Sequence, residues 1–125
     1  KGVVPDEIGI FVRSENEIDR ARQAVAQSGT PSSDLNHLLA KTPGSVSVGT
    51  MHLAKGLEFK AVVVMACDDE IIPSQERISS VVDESDLREV YDTERHLLYV
   101  ACTRARDFLL VTSGDVPSEF LADLI

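Results

Sequence analysis

The run Ala61-Val62-Val63-Val64-Met65-Ala66-Cys67 contains no polar position. A strand with one face in water alternates apolar and polar residues. An unbroken valine-rich run is therefore the pattern of a strand buried on both faces, as in a parallel sheet covered by helices. No apolar run in the chain is longer, and this one is far too short to cross a bilayer. A length of 125 residues allows one core of this kind and little more. With 43% hydrophobic and 26% charged residues, the composition excludes both a disordered tail and a membrane span.

The flanking segments predict how the sheet is covered. Ile8 to Val12 is apolar apart from Gly9 and stops at Arg13-Ser14-Glu15-Asn16-Glu17. Ser14 followed by Glu17 has the form of a capping box, so a strand is expected to hand over to a helix there. Ile18, Ala21, Val25 and Ser28 then mark one helix face, with Gly29 as its stop. Thr30 to Gly44 reads as a connection holding one or two helical turns around Leu35, Leu38 and Leu39. Val46 to Thr50 is a second strand candidate. Leu87, Val90, Tyr91, Glu94, Leu97, Leu98 and Ala101 keep a helical repeat that is expected to run to about Ala105. Phe108 to Thr112 reads as a further buried strand, and Pro117 as the head of a last short helix. Strands alternating with helices give an α/β layer architecture.

Charge is distributed unevenly. The chain has 12 basic and 21 acidic residues, a net of −9, which opposes a free-standing nucleic-acid binder. Ten of those acids and only two bases (Arg77, Arg88) lie between Asp68 and Glu94. Cys67 and Cys102, both flanked by apolar residues, match neither a zinc spacing nor a disulfide framework and read as buried thiols in a reducing, cytoplasmic compartment. The histidines His37, His52 and His96 have no metal-ligand spacing, so no metal site is expected. The start, Lys1-Gly2-Val3-Val4-Pro5, has neither an initiator Met nor a signal-peptide pattern, and the chain is expected to be a piece of a longer protein.

Three features depart from an ordinary α/β domain. Arg13 follows a strand, where open α/β sheets bind ligands; its bland explanation is a solvated pair with Glu15 or Glu17. Arg104 is expected to continue the buried stripe of the long helix, where a guanidinium must meet an anion, either a phosphate or a buried carboxylate. The polar loop Gly49-Thr50-Met51-His52-Leu53-Ala54-Lys55-Gly56-Leu57-Glu58-Phe59 interrupts two strands. It is not a Walker A loop, because Lys55 precedes Gly56 and Leu57 follows.

Thr50-Met51-His52-Leu53-Ala54-Lys55-Gly56-Leu57-Glu58-Phe59-Lys60-Ala61-Val62 resembles motif V of UvrD/Rep/PcrA-type superfamily 1 helicases. Glu94-Arg95-His96-Leu97-Leu98-Tyr99-Val100-Ala101-Cys102-Thr103-Arg104-Ala105 resembles their motif VI, and Ile10-Phe11-Val12-Arg13-Ser14 their motif IV. The resemblance implies a single RecA-like domain over residues 1–125, the second of the two motor domains. Its fold would be three-layered, with a mostly parallel sheet and helices on both faces.

It also implies roles. Arg13 and Arg104 would reach the γ-phosphate of ATP as arginine fingers. Glu58 would bind the ribose, and Gly56 would let the loop approach the nucleotide. Thr50, His52 and Lys55 would contact the phosphate backbone of single-stranded DNA, and Thr103 would order the turn beside Arg104. ATP and Mg²⁺ would be held mainly by the N-terminal RecA-like domain of the same protein, which is absent from these 125 residues, and translocation would run 3′ to 5′. Two departures stand out: Val12 replaces the aromatic residue that stacks on adenine in many relatives, and Gly29 to Ser45 leaves no room for their accessory subdomain. The alternative to a motor domain is a helicase-like scaffold that has lost catalysis.

Overall fold

The computed structural model describes residues 4–35, 44–114 and 116–124. Five parallel strands form one sheet: β1 (Ile8–Val12), β2 (Ser32–Asp34), β3 (Val46–Thr50), β4 (Phe59–Val64) and β5 (Ala105–Val111), in the order β2-β3-β1-β4-β5. β1 is central, pairing Ile10 with Val48 on one side and with Val63 on the other. The helices are α1 (Ile18–Gln27), α2 (Gln75–Ser79) and α3 (Glu84–Cys102). Short 3₁₀ turns cover Pro5–Glu7, Glu15–Glu17, Met51–Leu53 and Glu119–Leu124.

Strand alternation divides the core into two layers. Ile10, Val12, Val46 and Val48 pack with Ile18, Ala21 and Val25 of α1. Phe11, Phe59, Val62 and Val64 pack with Leu98 and Ala101 of α3 and with Phe120. Val12 thus belongs to the α1 layer and is fully buried. The α/β expectation holds, with α1 on one face and α3 on the other. No helix among the described residues is long and apolar enough to cross a membrane.

Four local expectations change. The Ser14 side chain makes no capping hydrogen bond, and a 3₁₀ turn at Glu15–Glu17 precedes α1. The connection after Gly29 contains strand β2, where no strand was expected; Leu38 and Leu39 lie outside the described residues. Helix α3 ends at Cys102, so Thr103 and Arg104 form the turn into β5 and not further helix. β5 is an edge strand and its middle is not buried: Phe108, Leu109 and Leu110 are exposed, whereas Ala105 and Val111 at its two ends pack against the α3-side core. Beside it, Ile8, Ile10, Val63, Met65 and Leu110 line an open apolar groove of ≈ 440 Å³ at the margin of α1.

The acidic segment is partly explained by local structure. The Asp83 carboxylate accepts from Asp86 N–H and caps α3, while Glu84 and Asp86 occupy the first turn, where negative charge complements the helix dipole. Asp68 accepts from Gly114 N–H and from Arg20. Cys67 is buried, and burial pushes its thiol up to about 12. Cys102 is only half-buried, with its thiol shifted in the same direction.

The close approach of β1 to β4 depends on Gly9. A Cβ there would stand 2.7 Å from carbons of the Phe59 ring, which itself meets Phe11 edge-on at 5.9 Å. Gly9→Ala is expected to destabilise the fold by about 1–3 kcal/mol through overpacking. A urea midpoint equal to that of the wild type would contradict this contact.

Candidate functional site

Arg13 leaves the carboxyl end of β1 beside the end of β3, where Val12 is in register with Thr50. The residue is only 8% exposed, and its partner is neither Glu15 nor Glu17. Its Nε donates to Glu94 Oε1 at 2.7 Å and its Nη2 to Oε2 at 2.5 Å, a bidentate pair between the end of β1 and the middle of α3. Glu94 is 0% exposed and sits in the buried stripe of α3, four residues after Val90 and four before Leu98. Two further donors complete its shell: Ser74 N–H at 2.7 Å to Oε1, and Arg77 Nη1 at 2.7 Å to Oε2.

Burial alone would push the Glu94 carboxyl up. The hydrogen bonds from Arg13, Ser74 N–H and Arg77 together outweigh it and hold the group below the usual carboxylate range. Arg13, Ser14, Asn16, Ser74 and Arg77 line an open cavity of ≈ 370 Å³. Arginine therefore faces this cavity from two elements.

The loop after β3 builds a second cluster. Thr50 is buried, whereas His52 is exposed on the 3₁₀ turn Met51–Leu53. Desolvation and the nearby Arg13 guanidinium lower the His52 pKa, so the imidazole is neutral at pH 7 and offers hydrogen bonds instead of charge. Lys55, Gly56 and Glu58 are exposed, while Ala54 and Leu57 anchor the loop in the core. Gly56 has φ +86°, a left-handed conformation that favours glycine at the tip of the loop.

Arg104 is fastened to this loop. Its carbonyl accepts from Phe59 N–H at 2.9 Å, and its Nη1 is 3.5 Å from Leu57 O. Its Nη2 donates to Thr103 Oγ1 at 3.1 Å, and that hydroxyl donates to Val100 O at 2.8 Å. The Nε of Arg104 is buried with no hydrogen-bond partner. An orphaned guanidinium donor costs free energy unless an acceptor arrives, so this donor set fits an anion such as a phosphate oxygen.

The structure brings Arg104 together with Leu57, Glu58 and Phe59, and it brings Arg13 together with Glu94. It does not bring the two arginines into contact. Glu94 and Cys102 are eight residues apart on α3, about 12 Å at 1.5 Å per residue, and Arg104 lies beyond the helix end. Arg77 and the positioning of Arg13 by Glu94 were not foreseen. A signal was present for Glu94, an acidic residue inside an apolar helical stripe. Nearby on α3, the Arg95 guanidinium lies 4.8 Å from the centre of the Phe120 ring.

Because the Glu94 pKa is depressed on folding, the stability it supplies is present above the ordinary carboxylate range and is lost as pH falls through its lower folded value. Glu94→Gln is therefore expected to lower stability at neutral pH by about 3–5 kcal/mol. Acid unfolding followed by circular dichroism should show a shallower loss below about pH 5 in this variant than in wild type. Parallel acid profiles would remove the charge-pair account.

The UvrD-like helicase C-terminal domain model matches residues 11–115. The ATP-dependent DNA helicase PcrA of Staphylococcus epidermidis is 34% identical over 96 residues, covering 68% of this chain and 12% of the relative. A probable DNA helicase of Mycoplasma pneumoniae is 35% identical over 118 residues, covering 94% of this chain and 19% of the relative. The chain thus spans less than a fifth of the length of either relative. Among solved structures, the C-terminal domain of a possible DNA helicase from Lactobacillus plantarum WCFS1 superposes with a TM-score of 0.63 at 28% identity, covering 94% of this chain and 62% of that one. With a family model spanning all three motif-bearing segments, the chain belongs to the UvrD-like helicase C-terminal domain family.

Proposed function

We propose that the chain is the second motor domain of an ATP-dependent DNA helicase or translocase, supplying guanidinium donors and strand contacts to an ATP site shared with an N-terminal RecA-like domain. The observation that carries this reading is the tether of Arg104 to the Leu57–Phe59 segment, together with its buried unpartnered Nε. A nucleotide whose ribose is bound by Glu58 would have its phosphates within the neighbourhood of that guanidinium.

In this reading Arg104 and Arg13 stabilise charge on the γ-phosphate during transfer, a task for which the fixed donor fork of arginine is suited. Mg²⁺ and the main phosphate cradle belong to the partner domain, since the chain has no Walker A sequence. Contact with single-stranded DNA falls chiefly to His52 and Lys55, which are exposed, with Thr50 largely hidden at the end of β3. These contacts read the sugar-phosphate backbone and not the sequence. Movement along the strand is 3′ to 5′, in a reducing cytoplasmic setting.

In the intact protein, Arg104→Lys is expected to lower DNA-stimulated kcat by about 10²- to 10³-fold while single-stranded DNA binding persists. A variant that hydrolyses ATP at the wild-type rate would refute the finger role. The 125-residue chain alone is expected to show no ATPase activity and weak, salt-sensitive affinity for single-stranded DNA, given its net charge of −9. Fluorescence anisotropy reporting tight binding that survives added salt would count against this division of labour.

A further inference from the structure

We propose that Glu94 is the positioning residue of Arg13: its buried carboxylate holds the Nε/Nη2 edge of the guanidinium and leaves the Nη1 edge to a nucleotide phosphate. The inference rests on the reading of Arg13 as a γ-phosphate donor.

A guanidinium has five N–H donors in a rigid plane. Glu94 engages the Nε–H and one Nη2–H. Among the described residues Nη1 has no hydrogen-bond partner, and Arg13 lines the ≈ 370 Å³ cavity. Two parallel bonds to one carboxylate fix both the direction and the roll of the fork, whereas a single bond would leave it free to swing. The remaining donors are therefore oriented before any ligand arrives, which is the condition for a donor that stabilises charge without reorganising.

The carboxylate is itself held. Ser74 N–H and Arg77 Nη1 bind Glu94 from the α2 side, so its oxygens cannot rotate with the arginine. Arg77 has a second effect. When an incoming phosphate draws charge from Arg13, Glu94 keeps a cation at 2.7 Å and is not left as an uncompensated buried charge. Arg77 is 39% exposed at its side chain and lines the same cavity as Arg13. Glu94 thus sits between two arginines, and each keeps guanidinium donors that the carboxylate does not engage.

The test uses the intact helicase. It compares wild type, Arg13→Ala, Glu94→Gln and the double variant in DNA-stimulated ATPase kinetics, in binding of ADP with and without aluminium fluoride, and in melting temperature. Glu94→Gln is expected to lower kcat by about 10- to 100-fold, as a misplaced donor does, with KM for ATP changed by less than about twofold. Its affinity for ADP with aluminium fluoride should fall by a similar factor, while its affinity for ADP alone stays unchanged. In the Arg13→Ala background Glu94→Gln should cause no further loss in either readout.

Losses that multiply in the double variant, or that follow melting temperature in both backgrounds, overturn the proposal. Wild-type kcat in Glu94→Gln beside an impaired Arg13→Ala overturns the role of Glu94 alone. Wild-type kcat in Arg13→Ala overturns the phosphate role of Arg13, and this proposal with it. Should Glu94→Gln fail to fold, Arg77→Ala takes its place. A kcat loss that disappears in the Arg13→Ala background supports the proposal, and a persistent loss or none overturns it.

Discussion

A carboxylate with no solvent access, Glu94, is the constraint around which the site is organised. An isolated buried charge costs several kcal/mol after relaxation, so its presence demands donors from every direction in which it has lone pairs. They come from two stretches of chain remote from the helix that carries it: Arg13 after β1, and Ser74 with Arg77 around α2. The apolar layers of the sheet decide that α3 lies over β1 and β4. The ion cluster then ties the helix to one place along that layer through four hydrogen bonds to a single carboxylate.

The rest of the site follows from that placement. With Glu94 beneath Arg13, the nineteen-residue helix runs back over the sheet and delivers Thr103 and Arg104 to the start of β5. There the Phe59 N–H finds the Arg104 carbonyl. Leu57, buried in the same core layer as Leu98 and Ala101, brings the exposed Gly56 and Glu58 up to the arginine. Two loops far apart in sequence are thereby joined by one backbone bond. The charge excess of the Asp68 to Glu94 segment also changes meaning. Asp83, Glu84 and Asp86 serve the start of α3, Asp68 ties the segment after β4 to Gly114 after β5, and Glu94 is matched by two arginines.

Most of the architecture was legible from pattern. The Ala61 to Cys67 run, the Ile18/Ala21/Val25 face and the Val90-to-Ala101 repeat each reflect a single periodicity that burial enforces, and each appears as β4, α1 or α3. What misled was everything set by neighbours at long range. Phe108 to Leu110 read as buried because apolar content reports capacity for burial and says nothing of whether a cover exists. Arg13 read as a surface pair because its true partner is 81 positions away. Arg104 read as helical because the helix end is set by a turn that needs the Phe59 N–H, outside any local window. The motif resemblance singled out Arg13, Arg104 and the Thr50 to Glu58 loop where propensity could not, but it left Glu94 and Arg77 without duties.

The strand order has a consequence in time. β1 is the first strand made and the central strand of the sheet, yet β3 and β4, its partners on either side, are made later, and the helix that pins Arg13 later still. As the chain is made, β1 can meet α1 at once and β3 soon after, but Leu98 and Ala101 reach its α3-side layer only when most of the chain is out. Parallel pairings of such long sequence separation place the domain among slow folders, on the order of milliseconds to seconds. The α3-side face of β1, which includes Phe11, is thus the surface left uncovered longest, and it is the second half of the chain that covers it.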